Sequence, residues 1–365
     1  VLGAAALEGR AAKVVSGSGA PFQHVRFELP DGHDDEDRAR DTLARVAALQ
    51  GASGTLYCEP NFICRPKAEP DDTYYGLQWH YPLIHLPEAW DITTGDENVI
   101  VAVIDTGQTA HPDLQANQIN GYDMISSPTI ARDGDGYDAD PTDVGDLGRG
   151  GGASSWHGTH VAGTIGATSD NGYGVAGVSW QCSIMHVRAL GLGGGTTADI
   201  ANAIRYAAGL SNASGALPAR RADVINMSLG GGGYSQTMAD ACEAAWNAGV
   251  VIFASAGNEN SSLPSYPAAY DDVISVMAVD ASRNRAPYSN FGSGVELAAP
   301  GGNVAVDLTG DGYADGVLST FWNESFTPPS PAFIFYQGTS MASPHAAGVA
   351  ALMLAVNPDL TPGEI

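Results

Sequence analysis

Basic side chains are scarce: 16 Lys and Arg stand against 41 Asp and Glu in 365 residues, a formal net charge of −25. Such a surface repels nucleic acid and anionic membranes, so neither is an expected partner. Cysteine is sparse as well. Cys58, Cys64, Cys182 and Cys242 include no Cys-x-x-Cys pair, which leaves no strong zinc or thioredoxin-type signature. The even count is compatible with two disulfides in an oxidising compartment. Three connectivities are open; Cys58 with Cys64 and Cys182 with Cys242 is the pairing expected, with free buried thiols as the alternative. Long apolar runs are also missing. VIVAVI (99–104), VVIFA (250–254) and GVAALMLAV (348–356) are each too short to span a bilayer and read as core elements. No basic-then-apolar leader opens the chain at Val1, so a targeting segment is absent or already removed.

What is present is an ordinary globular composition, 44% hydrophobic and 8% aromatic, in a chain long enough for one large domain and a smaller one. Residues 1–67 combine an alternating stretch (HVRFELP), a charged helical stretch (DDEDRARDTLARVAALQ) and a second extended stretch (GTLYCEP), a small α+β unit. RPKAEPDDT (65–73), rich in proline and charge, reads as a linker or cleavage site, with the linker proper at 68–73. From residue 74 onward, strand-like and helix-like runs alternate: VIVAVID, HGTHVAGTIGA, SIMHVRAL, TADIANAIRYAAGL, ADVINMSL, TMADACEAAWNAG, VVIFASAGN and VISVMAVD. This order predicts a mostly parallel sheet covered by helices, with the active site at the carboxyl ends of the strands. Near the end, Thr361, Pro362 and Glu364 spell a helix start with a capping box, so the chain is expected to continue beyond Ile365.

GTSMASPH (338–345) opens a helix of small residues, and the question is whether Ser340 merely starts it or reacts. Asp105 ends the apolar run VIVAVI, which places a carboxylate at a strand's carboxyl end. His157 opens HGTHVAGTIGA after a glycine-rich segment (148–152); His160 is a second candidate and is expected to face the core. The pair lacks the carboxylate that a zinc-protease helix supplies. Asn258 ends VVIFASAGN, where a side-chain amide can donate to a developing oxyanion. Each residue alone could be a turn former. Together they give an acid, a base, an amide donor and a hydroxyl in the order Asp, His, Asn, Ser, one of the known orders of a nucleophilic triad.

DTG (105–107), HGTHVAGTI (157–165), INMSLGG (225–231), SAGNEN (255–260) and GTSMASPHAAG (338–348) closely resemble the motifs of the subtilases, the subtilisin-like serine endopeptidases. The resemblance covers residues 74–365 and implies an α/β, three-layer subtilisin-like fold. By position it implies Ser340 as nucleophile, His157 as general base and then acid, Asp105 as the residue orienting the imidazole, and Asn258 as oxyanion donor. Ser228, Leu229 and Gly230 match the strand edge that pairs with extended substrate, with Gly193, Gly194 and Gly195 as the opposing edge. Glu259 and Ser265 resemble the rim and base of the pocket for the residue preceding the scissile bond, a roomy pocket for large apolar or basic side chains. It also resembles secreted bacterial subtilases made with an inhibitory propeptide: residues 1–67 fit such a domain, small, α+β and ferredoxin-like, with YCEPNF as its closing strand. Polypeptide substrates, the propeptide as intramolecular inhibitor and a monomeric, extracellular protein are therefore expected.

Acidic loops supply the remaining expectation, structural calcium at two or more sites. DLTGDGYADG (307–316) places Asp307, Thr309, Asp311 and Asp315 in the 1, 3, 5, 9 spacing of calcium loops, without the glutamate at position 12. In ARDGDGYDADPTDVGD (131–146), Asp133, Asp135, Asp138, Asp140 and Asp143 crowd one loop, and their repulsion calls for a cation. By family position Asp113 matches a calcium ligand, with Asp170 or Asn171 as partner. Simple solubility and a saline habitat are other readings of the acidity. Two alternatives to a broad protease are a narrow processing protease and a catalytically silent binding protein with the same fold.

Overall fold

The structure, a computed structural model, describes residues 12–14, 25–27, 35–50, 57–60, 68–147 and 152–365. The chain divides into two compact units, Val1–Pro66 and Lys67–Ile365. In the first, β1 (Ala12–Val14) pairs antiparallel with β2 (Val25–Phe27), and the charged stretch forms α1 (Asp35–Gln50). Tyr57–Pro60 has no regular structure; Asn61, Phe62 and Cys64 lie outside the described residues.

The second unit opens with short helices α2 (His80–Leu83) and α3 (Leu86–Trp90), then β3 (Ile100–Asp105), β4 (Gln118–Asp123) and α4 (Pro128–Ala131). It continues with α5 (His157–Gly166), β5 (Ser183–Arg188), α6 (Thr197–Ala207), β6 (Val224–Met227), α7 (Gln236–Asn247), β7 (Val251–Ser255), β8 (Ile274–Val279) and β9 (Leu297–Pro300). A hairpin of β10 (Val317–Asn323) and β11 (Ser330–Tyr336) leads into α8 (Thr339–Val356). Seven strands form one all-parallel sheet in the order β4-β5-β3-β6-β7-β8-β9. The order reverses between β3 and β6, so the crevice beyond their carboxyl ends is where such a fold opens a site.

Alternation along each strand decides which helix covers which face. Ile100, Ala102 and Ile104 of β3 join α6 and α7 in one core, while Val101 and Val103 join α5 and α8 in the other. Both faces are covered, which is why the strands read as unbroken apolar runs. α8 is long and apolar enough to cross a membrane, but 72% of it is buried, as a core helix between sheet and surface.

This layering corrects the expected Cys182–Cys242 disulfide. Cys182 belongs to the α5/α8 side of the sheet and Cys242 to the α6/α7 side, and both are free thiols. Burial pushes each thiol up to about 12. Cys58 is free as well, and Cys64 lies outside the described residues.

Candidate active site

β3 ends on Asp105, which is fully buried, and the chain turns at once through Thr106 and Gly107. α5 starts against that turn. The Gly158 N–H donates to Thr106 Oγ1 at 2.9 Å, and a Cβ on Gly158 would lie 2.6 Å from the Gly107 carbonyl oxygen, so glycine permits the approach. The result is a His157 Nδ1 that sits 2.9 Å from both carboxylate oxygens of Asp105. Burial pulls the imidazole pKa down, but Asp105, with Asp146 and Asp143 beyond it, outweighs that effect and leaves it raised above its ordinary value. His160 lies on the inner face as expected, stacked on Tyr336 and lowered by burial to about 3. It stays neutral and does not compete for the proton. His345, from the same motif as Ser340, is likewise buried and lowered to about 4.

Ser340 is the second residue of α8. Its Oγ donates to the Ser228 carbonyl at 3.1 Å rather than to His157. Pro344 sits four residues on and has no N–H to give the Ser340 carbonyl; the Ser228 hydroxyl donates to that carbonyl instead, at 2.7 Å. Asn226 holds the Ser228 hydroxyl at 3.0 Å and accepts from Ser343 at 2.7 Å. Asn258 lies just past β7, where its Oδ1 accepts from the Thr339 N–H at 2.9 Å and the Thr339 hydroxyl at 3.0 Å. With the oxygen side of the amide fixed, Nδ2 is the side left to donate. Sequence reading missed Thr339 and Pro344, though both stand inside the motif it singled out.

The Subtilase family model matches residues 96–365, a span that includes Asp105, His157, Asn258 and Ser340. The chain belongs to the subtilase family. It is 43% identical over 345 residues to an extracellular protease of Xanthomonas campestris, covering 90% of this chain and 57% of that protein. To thermitase of Thermoactinomyces vulgaris it is 34% identical, covering 78% of this chain and 85% of thermitase. Among solved structures, a protease of Pseudoalteromonas arctica superposes with a TM-score of 0.76 at 46% identity, over 81% of this chain and 89% of that one.

In this subtilase the residues expected to line the cleft are placed as follows. Ser228, Leu229 and Gly230 follow β6 directly, and Gly230 packs beside Ser265, whose Oγ would lie 3.4 Å from a Cβ at position 230. Glu259 Oε2 accepts from Asn290 Nδ2 at 2.9 Å, which ties the rim carboxylate to a neighbour. Gly193 and Gly194 do not extend as an edge: Gly191 and Gly194 exchange two 3.0 Å backbone bonds around a tight turn with φ of +80° and +111°. Gly195 alone continues past that turn.

The acidic loops divide. Asp133, Asp135 and Asp138 each bring an oxygen within 4.8 Å of the others, the one such group among the described residues. Asp133 and the buried Asp123 both contact the guanidinium of Arg188, itself buried inside β5 and missed as a site residue. Asp140 instead accepts from the Thr142 N–H at 3.1 Å. Asp143 accepts from the Gly145 N–H at 2.8 Å, and burial raises its pKa to about 7. The buried Asp113 accepts from Asn171 at 3.1 Å and from the Val175 N–H at 2.9 Å, with burial raising it to about 6. Asp170 faces Asp72 instead, its N–H donating at 2.7 Å, and the other Asp72 oxygen is buried without a partner. In 307–316 the side chains bind their own loop. Asp307 takes the Gly310 N–H at 2.7 Å, Asp311 the Tyr313 N–H at 2.8 Å, and Asp315 the Thr309 hydroxyl at 2.9 Å.

Proposed function

We propose that this protein is a secreted serine endopeptidase that cleaves polypeptides through an acyl-enzyme. The observation that carries the reading is the pair of 2.9 Å contacts from His157 Nδ1 to a fully buried Asp105. A serine hydroxyl is a poor nucleophile until a base takes its proton, and the base must be held in one tautomer with its imidazolium stabilised. Turning Ser340 Oγ from the Ser228 carbonyl toward His157 Nε2 completes the relay. Oγ then bonds the scissile carbonyl carbon, Nε2 takes the proton and passes it to the departing amine, and water repeats the sequence to free the acid. Asn258 Nδ2 donates to the oxyanion; at a subtilisin's own oxyanion asparagine, removal costs about 10²–10³ in kcat.

Extended substrate would add as a strand along Ser228–Gly230, with the residue before the scissile bond lying between Glu259 and Ser265. Residues 1–67 would act as the intramolecular inhibitor. The relatives' names, extracellular protease and extracellular basic protease among them, support an extracellular location. Calcium fits this chain's donors. Asp133, Asp135 and Asp138 are hard oxygen ligands with mutually repelling charges, and their oxygens lie within 4.8 Å of one another. A bound cation there would hold loops and leave the chemistry to the triad.

The test is casein hydrolysis and labelling by an active-site fluorophosphonate, beside Ser340→Ala. The variant should lose both. Absence of labelling in the unsubstituted protein, freed of residues 1–66, would overturn the enzyme in favour of a silent binding protein. Labelling without casein cleavage would replace the broad specificity with narrow processing.

A further inference from the structure

Residues 152–156 lead into His157 with no ladder or helix of their own. The last of them, Trp156, is left-handed (φ 49°, ψ 34°) and buried, and no side chain caps α5. For a bulky residue that conformation is strained and persists only where its surroundings hold it. Asp146 accepts from Ser155 twice, from the N–H and the hydroxyl, both at 2.7 Å. Glu324 Oε1 accepts from the Ser154 N–H at 2.8 Å, and the Tyr336 hydroxyl donates to the Ser155 carbonyl at 3.0 Å.

The hairpin that carries Glu324 and Tyr336 is itself fastened along α5. Ser319 donates to the His160 carbonyl and Thr320 to the Thr159 carbonyl, both at 2.8 Å. β10 therefore runs back along α5 toward its amino end, and Glu324, just past β10, reaches the segment before His157. At its other end the hairpin continues through Gln337 and Gly338 into the Ser340 helix.

We propose that Asp146 and Glu324 are positioning residues for the general base, holding Ser154 and Ser155 so that Trp156 sets the His157 ring against Asp105. This rests on the hydrolase reading above. Neither carboxylate touches substrate; both act through backbone. They differ in a second respect. The charged and titratable groups facing His157 are Asp105 from β3, Asp143 and Asp146 from the preceding loop, and His160 on its own helix, with Glu324 arriving on the hairpin. Asp146 is among those that raise the imidazole pKa and Glu324 is not. The first residue positions and tunes; the second only positions.

The experiment compares Glu324→Ala, Glu324→Gln, Asp146→Ala and Asp146→Asn in protein made as the full chain and then freed of its N-terminal inhibitory unit, measuring kcat, KM and the pH profile of kcat/KM on a peptide substrate. Glu324→Ala should lose about tenfold or more in kcat with little change in KM, because misplacement of a catalytic group acts on the chemical step. Glu324→Gln keeps an acceptor for the Ser154 N–H and should restore most of that rate with an unmoved profile. Asp146→Asn keeps one oxygen to accept from the Ser155 N–H but gives up the charge and the acceptor of the Ser155 hydroxyl, so the acid limb should move to lower pH. Asp146→Ala should show both effects. Equal kcat losses in Glu324→Gln and Glu324→Ala, an unchanged kcat in Glu324→Ala, or an acid limb that stays in place in Asp146→Asn would overturn the proposal. An unsubstituted protein that neither cleaves nor labels would instead overturn the hydrolase reading, and this one with it.

Discussion

At the scale of single residues, the active centre depends on a missing side chain as much as on those present. Gly158 stands between His157 and the turn that follows Asp105, and the three atoms its Cβ would meet first are all backbone: the Gly107 oxygen at 2.6 Å and nitrogens at 3.1 and 3.2 Å. Backbone of a central strand's turn cannot move aside as a flexible side chain would. Gly158→Ala should therefore push the start of α5 away from Asp105, costing about 1–3 kcal/mol in stability as overpacking does. It should cost about 10- to 100-fold in kcat as the His157–Asp105 contact lengthens. Urea unfolding in a Ser340→Ala background, with kcat in the active one, measures the two effects. An alanine variant with unchanged kcat would show that the turn yields and that the close approach does not set the geometry.

At the scale of elements, the helix that carries Ser340 is built around a proline that an ordinary helix would reject. Pro344 leaves the Ser340 carbonyl without its i+4 donor, and Ser228, at the end of the adjacent strand β6, supplies a hydroxyl in its place. Ser228→Ala should therefore cost about 1–3 kcal/mol, the price of a buried acceptor left unmet. Pro344→Ala returns an N–H to the same carbonyl, so in the double variant the loss should shrink; strictly additive costs in a four-protein urea cycle would contradict the substitution of one donor by the other. This linkage was partly legible in advance. The alternation of apolar runs announced the sheet, and Asp105 and Asn258 could be placed at strand ends because those runs stop there. The hairpin β10–β11 was not legible, since its tip, NESFTPPS, carries none of the two-residue glycine turns that signal one. Nor was it legible that Cys182 and Cys242 face opposite sides of a sheet, because pairing by count ignores which face each strand or helix presents. The spacing in 131–146 and in 307–316 looked alike, yet one brings three carboxylates together and the other spends them on its own backbone, a distinction made by loop conformation rather than by residue type.

At the scale of the whole molecule, the −25 charge sets how stability responds to pH and cations. Asp113 and Asp143 are buried carboxylates raised from 3.8 to about 6 and about 7. A carboxyl raised on folding holds its proton more tightly in the folded state, so its contribution is fully present below about pH 4 and is lost as pH rises through 6 and 7. Asp138 is raised as well, by burial first and then by the neighbouring Asp135 and Asp133. Calcium bound as proposed would reverse the sign, because it would take the deprotonated carboxylates and its affinity would grow as the competing protons leave. In the Ser340→Ala protein, which cannot digest itself, calcium at about a hundred times its dissociation constant should stabilise by roughly 2.7 kcal/mol and raise Tm by about 4 °C at pH 8. At pH 5 the increment should be much smaller, and a chelator should make the protein less stable at pH 8 than at pH 5. Calorimetry at both values, with and without chelator, reads this directly. A Tm indifferent to calcium at pH 8 would mean that these acids serve hydration and solubility, and that the fold tolerates their repulsion without a cation.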